Sequence, residues 1–127
     1  MLRTDGRLAL CDIVRHREIP FPELRRRLSE FSVLRAAFGE ARMEPLAEYA
    51  RMVMKADLTV DRADDLTQVT MPTFDRWLTN ARIHADAVTD AIGSQGLNDF
   101  VRASEVLDSL WRDGSFGYGL LAAVKSA

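Results

Sequence analysis

Pro72 to Gly93 reads PTFDRWLTNARIHADAVTDAIG. Phe74, Trp77, Leu78, Ala81, Ala85, Val88 and Ile92 recur there at intervals of three and four, which sets them on one stripe of an α-helix. Pro72 suits the first turn, where its missing N–H costs nothing, and Thr70 or Thr73 can cap the N-terminus. Gly93 follows the last stripe residue, where a left-handed C-cap is usual. The stretch predicts one helix, with His84 beside the stripe rather than on it.

Working outward, Ser94-Gln95-Gly96 make a tight connection, and Asn98 or Asp99 starts a further helix that runs to Arg112. So short a linker implies an antiparallel helical hairpin over residues 72–113. Asp113-Gly114 closes it. Gly114, Gly117 and Gly119 then read as a flexible joint leading to a short apolar tail, Leu120, Leu121 and Val124.

Toward the N-terminus, Leu8, Leu10, Cys11, Ile13 and Val14 spread around most of a helical circumference, as on a helix covered from several sides. Ile19-Pro20-Phe21-Pro22 breaks it, since a residue before proline avoids the α region. Pro22 opens a helix carrying Leu24, Leu28, Phe31, Leu34 and Phe38 on one face. Pro45 begins another, with Leu46, Tyr49, Ala50 and Val53 inward. Residues 57–71 are irregular: Asp57 to Asp61 alternates polar and apolar in the manner of a short extended piece, and Asp61 to Thr67 equally suits one helical turn. These readings sum to a single all-α domain over residues 1–127, a compact bundle of five or six helices ending in the 72–113 hairpin and its tail.

The totals agree with one globular domain: 127 residues, 47 % apolar and 28 % charged. Lone Cys11 excludes an internal disulfide and a cysteine-based metal cluster, and is expected as a buried structural thiol. No apolar run reaches the roughly 20 residues that span a bilayer, and the first residues make a poor secretion signal. A cytoplasmic protein with no membrane partner is expected. Net charge is −2, divided unevenly, with residues 1–51 holding ten arginines against eight acids.

Little in the chain resembles a catalytic set. His84, with Gly93 in the same helix and another helix following, is similar to the histidine that phosphotransfer domains present from a bundle helix. That likeness implies a phosphoryl-accepting role for His84, against which Asp86 and Asp90 would repel the incoming group. His16, between Arg15 and Arg17, reads as a cation at a helix C-terminus, stabilising by about 0.3–1 kcal/mol. Asp57, Asp61, Asp64 and Asp65 lack the spacing of a calcium loop and read as solvated helix-start acids. Asp108-Ser109-Leu110 matches the short signature of carrier-protein phosphopantetheine attachment, but Ser109 stands deep inside a predicted helix. No cofactor, metal site or catalytic residue is expected.

Residues 7–14 and 19–28, an apolar helix, a turn and then Glu23-Leu24-Arg25-Arg26-Arg27-Leu28, resemble the first two helices of a winged helix-turn-helix. That likeness implies a DNA-binding regulator using residues 7–42, with Arg25, Arg26, Arg35 and Arg42 toward nucleic acid. The leading expectation is different. Ile83 lies opposite the stripe of the 72–93 helix, and Val106 and Leu110 extend the apolar surface of the next helix well round. With Phe116, Tyr118 and Leu121 they suggest a protein interface. The chain is therefore expected to be a non-enzymatic interaction module, adaptor, regulatory or assembly component, pairing with a protein partner or with itself as a homodimer.

Overall fold

The computed structural model describes residues 2–126, which fall into two compact units. The first is built from the chain up to Arg17, from Met43–Thr70 and from Gly114 onward. It holds strand β1 (Arg7–Arg15), helix α3 (Leu46–Lys55), strand β2 (Thr59–Asp65), the single turn α4 (Thr67–Thr70) and strand β3 (Phe116–Val124). The second, Glu18–Arg42 with Met71–Asp113, holds helices α1 (Phe21–Arg26), α2 (Leu28–Phe38), α5 (Thr73–Ile83) and α6 (Ala85–Arg112). The chain is thus mixed α and β, which corrects the expected all-α bundle.

In the first unit the strand order is β1-β3-β2, with β3 antiparallel to both neighbours, so β1 and β2 run parallel to one another. The segment read as a helix from residue 7 is β1. Leu8 and Leu10 pack toward Val53, Leu121 and Ala123, while Ala9, Cys11 and Ile13 take the opposite face by the alternation of a strand. A strand apolar on both faces has no two-residue signature, and it mimics a helix apolar all round. The expected tail is the central strand. Leu121 is wholly buried and pairs with Leu10 on one side and Ala63 on the other. The extended reading of residues near 59 agrees with β2, whose register shifts at a bulge between Val60 and Arg62.

Helix α3 covers one face of this sheet. Leu46, Tyr49, Ala50 and Val53, three and four apart, lie against Leu8, Leu10, Val60 and Leu121. Gly119 permits the approach, since a Cβ there would stand 2.9 Å from Leu46 Cδ1 and 3.0 Å from Val14 Cγ1. The Gly117-Tyr118-Gly119 stretch is therefore a packing surface inside a strand, not a flexible joint.

In the second unit α2 and α5 both pack on α6. Helices α1 and α2 are parted at Arg27 (φ −101°, ψ 15°), so residues 22–38 form neither one helix nor a helix-turn-helix. The 72–93 run is likewise not one helix: α5 ends at His84 (φ −107°, ψ 26°), and α6 begins with the next residue. Gly93 (φ 79°, ψ 166°) then bends α6 into two arms, residues 85–92 and 94–112. Phe74 meets Trp111 edge-on with ring centres 5.0 Å apart, and Trp77 meets Phe100 at 5.9 Å. The start of α5 thus lies by the end of α6, but the breaks fall at His84 and Gly93, and Ser94-Gln95-Gly96, expected as the connection, lie inside α6.

Candidate functional site

The carboxyl ends of the parallel strands β1 and β2 gather three polar side chains. His16 follows β1, Asp65 ends β2, and Thr67 opens α4. His16 Nε2 lies 3.0 Å from Asp65 Oδ2. Asp65 Oδ1 accepts the Thr67 N–H at 2.9 Å and also a short hydrogen bond from the Thr67 hydroxyl. Thr67 Oγ1 in turn accepts the Tyr118 N–H at 3.2 Å and sits 3.4 Å from His16 Nε2. Beside them Arg17 Nη2 donates to the Oγ of fully buried Ser115 at 2.7 Å.

Gly117 makes room for this cluster. A Cβ at that position would fall 2.0 Å from Thr67 Oγ1 and 2.5 Å from His16 Cε1. The backbone of β3 therefore forms the floor on which the three side chains meet.

Burial alone would raise the Asp65 carboxyl. The two hydrogen bonds from Thr67 and the neighbouring His16 outweigh it and hold Asp65 below the usual carboxylate range. An ionised Asp65 can only accept, so the proton of a neutral His16 is placed on Nε2 and the lone pair on Nδ1. Among the described residues Nδ1 has no hydrogen-bond partner. An imidazole oriented by a carboxylate, with its second nitrogen unpartnered among the described residues, has the arrangement of a general base.

The second unit carries an apolar pocket of about 350 Å³. Helix α5 contributes Trp77, Asn80 and Ala81, His84 stands at the junction, and α6 contributes Val88, Ile92 and Phe100. These are largely the stripe residues of the 72–93 run, which line a cleft as well as building a core.

The structure scatters the residues singled out from the sequence. Of the six expected at an interface, Val106, Leu110, Phe116 and Leu121 are buried in the chain's own core, Tyr118 is half-buried, and Ile83 is 68 % exposed. Val106 and Leu110 turn apolar surface to two sides because α6 has two helical neighbours. Arg25, Arg26, Arg35 and Arg42 are exposed, and Arg35 pairs with Glu40. His84 caps α5 instead of standing within a continuous helix, and Ser109 lies inside α6. Cys11 is exposed on β1, correcting its expected burial in a helix. The pairing corrects the expectation of Asp65 as a solvated acid and of His16 as a helix-end cation. Their partnership has no sequence signal, since His16 and Thr67 are 51 residues apart. No group of three or more metal-ligating side chains occurs among the described residues, and none of their helices is long and apolar enough to cross a membrane.

No protein-family model and no curated protein matches the chain. Solved structures do. The cyclopropane synthase MmaA2 from Mycobacterium tuberculosis matches with a TM-score of 0.75 at 16 % identity, over 98 % of this chain and 46 % of that one. A phosphoethanolamine N-methyltransferase 2 of Haemonchus contortus, in complex with phosphomonomethylethanolamine and S-adenosylhomocysteine, matches at 0.75 and 10 % identity, over 99 % and 28 %. A geranyl diphosphate methyltransferase in complex with S-adenosylmethionine matches at 0.59 and 25 % identity, over 98 % and 41 %. The chain spans less than half the length of these neighbours. Their fold is that of Rossmann-like, S-adenosylmethionine-dependent methyltransferases. The likeness to enzymes overturns the expected non-enzymatic adaptor.

Proposed function

We propose that this chain is the acceptor-side portion of a methyltransferase fold, in which His16 receives the proton of the acceptor's nucleophile. One observation carries the reading: a carboxylate-oriented histidine stands at the carboxyl ends of two parallel strands, where open α/β sheets bind their ligands. The likeness of the fold to methyltransferases supplies the class of reaction.

S-adenosylmethionine is the group that such a fold implies. In doubly wound sheets a nucleoside-bearing cofactor is gripped by a glycine-rich turn from strand to helix. Here β1 leads to α1 through His16-Arg17-Glu18-Ile19-Pro20, and β2 leads to α4 through Leu66, with no glycine in either turn. The described residues do not fit that cofactor, and no step is assigned to it.

What these residues do is hold and move a proton. Asp65, fixed by two bonds from Thr67, keeps the Nε2–H of His16 engaged, and Nδ1 takes the proton from an acceptor O–H, N–H or activated C–H. General-base help of this kind contributes about 10²–10⁴-fold. The test is methyl transfer by the protein purified at the length its source makes, using tritiated S-adenosylmethionine and apolar acceptors. His16→Ala is expected to lose at least tenfold in kcat, with His16→Gln no better. A wild type that labels no acceptor, or a His16→Ala variant of full activity, overturns the reading.

A further inference from the structure

Helix α1 and the start of α2 turn their sides the opposite way from a helix packed by its apolar stripe. The charged side faces inward: the Arg27 side chain is 14 % exposed, and Glu23 and Glu30, which it binds, are half-buried. The apolar side faces outward: Phe21 is 70 % exposed and Leu28 62 %, with Leu24 at 37 % between them. These three stand three and four positions apart and form one stripe. Water disfavours such a stripe, and the segment keeps it because the ion pairs of Arg27 with Glu23, Glu30 and Asp113 fix its other side.

The same ion pairs set the charge beside the stripe. Residues 21–38 carry four arginines against two glutamates, and Arg27 engages both glutamates. Arg35 pairs with Glu40, whereas Arg25 and Arg26, both exposed, make no ion pair among the described residues. Arg25 borders the stripe, one residue after Leu24 and four after Phe21, and Arg26 stands further round the helix.

We propose that this stripe docks the protein on an anionic lipid surface, with Phe21, Leu24 and Leu28 entering the headgroup layer and Arg25 and Arg26 reaching lipid phosphates. A few apolar side chains suffice to enter that layer, and cations beside them gain from the negative surface potential. A protein interface matches less well, since it takes roughly 800 Å² from each partner. A two-fold pairing of copies would also set Arg25 and Arg26 against their own counterparts. None of the described helices is long and apolar enough to cross a membrane, and none is needed, because the segment lies on the surface. This replaces the expectation of no membrane partner. The stripe lies within the second unit, so the proposal is independent of the role of His16.

The probe is a vesicle of phosphatidylcholine with about one-third phosphatidylglycerol, against one of phosphatidylcholine alone, and binding of the protein is read by flotation. Binding is expected on the anionic vesicles, and about tenfold weaker on the neutral ones. Arg25→Gln with Arg26→Gln should bring the first down to the second. Phe21→Ser with Leu28→Ser should weaken binding to both by about tenfold. All four side chains are exposed, so the circular dichroism should not change. Ile83→Ser, which removes another exposed apolar side chain away from the stripe, should bind as wild type. Phe21→Trp should emit further to the blue on anionic vesicles, as the ring enters the headgroup layer. No binding to anionic vesicles, equal binding to the two compositions, full binding by either double variant, an equal loss in Ile83→Ser or an unshifted Phe21→Trp emission overturns the proposal. So does a wild type that stays off the vesicles but loses mass by light scattering when Phe21 and Leu28 are changed, which would make the stripe a contact between copies.

Discussion

His16 and Asp65 lie 3.0 Å apart although their strands do not neighbour one another in the sheet. Strand β3 runs between β1 and β2, and the side chains meet across it because Gly117 presents only a hydrogen. Gly117→Ala is therefore a test of the whole cluster. The added methyl overlaps Thr67 Oγ1 and His16 Cε1, so either both side chains move or the strand shifts. Overpacking of this type costs about 1–3 kcal/mol. A lower urea midpoint is expected, with the His16 ring resonances displaced toward those of a free histidine. A variant as stable as wild type, with an unmoved imidazole, would show that the floor is not tight.

Asp65 sets a pH dependence. Its folded pKa lies below its unfolded one, near 3.9 for a free aspartate. Stability from this group is thus fully present above the unfolded value and is lost as pH falls through the folded one. Thr67→Val removes the hydroxyl donor and should move the Asp65 carboxyl upward, read by carbon-13 titration. Acid unfolding should begin at higher pH in the variant. Identical Asp65 midpoints in the two proteins would contradict the assignment of Thr67 as the holder.

Why this site escaped the sequence is a matter of periodicity and distance. The run through Leu8, Leu10, Cys11, Ile13 and Val14 is apolar on both faces of β1, and β3 is small or apolar throughout, so neither shows alternation. Their sequences suit a helix and a tail, which places His16 at the end of a helix. Only the start of strand β2, where Asp57 to Asp61 alternates polar and apolar, was legible; Asp61 to Asp65 reads equally as a helical turn. The helical character of residues 73–112 was legible too, although the stripe is buried only in part: Phe74 and Ala81 are buried while Trp77 and Ile92 are exposed. Its interruptions at His84 and Gly93 were not, since a stripe residue on each side of a break keeps the count of three and four.

Arg27 stands at the break between α1 and α2 and binds three carboxylates. Its Nη1 lies 2.9 Å from Asp113 Oδ2 and 3.3 Å from Glu23 Oε1, and its Nε donates to Glu30 Oε2 at 3.0 Å. The side chain is only 14 % exposed. Truncation leaves three acids facing one another, and bonds to charged groups are worth about 1.5–3 kcal/mol each when measured by deletion. Arg27→Ala is expected to cost about 2 kcal/mol in chemical denaturation. Arg27→Lys should recover only part, because an ammonium cannot fork to three partners in fixed directions. Full recovery by lysine would reduce the role of Arg27 to charge alone.

Gly93 tests the link between backbone and pocket. Its φ of 79° with ψ of 166° belongs to a region that essentially only glycine occupies. No atom outside the immediate chain lies within 4 Å of a built Cβ, so substitution strains the backbone without a clash. Gly93→Ala is expected to cost about 1–3 kcal/mol if the bend persists. If the arms instead join into one helix, helicity rises and the Val88–Ile92 wall rotates away from Phe100. The two outcomes separate cleanly. A persisting bend gives lower stability with unchanged ellipticity, and a straightened α6 gives higher ellipticity with Trp77 fluorescence changed as Phe100 moves away. A variant equal to wild type in stability, helicity and Trp77 fluorescence would mean that the bend is not held by glycine's conformational freedom.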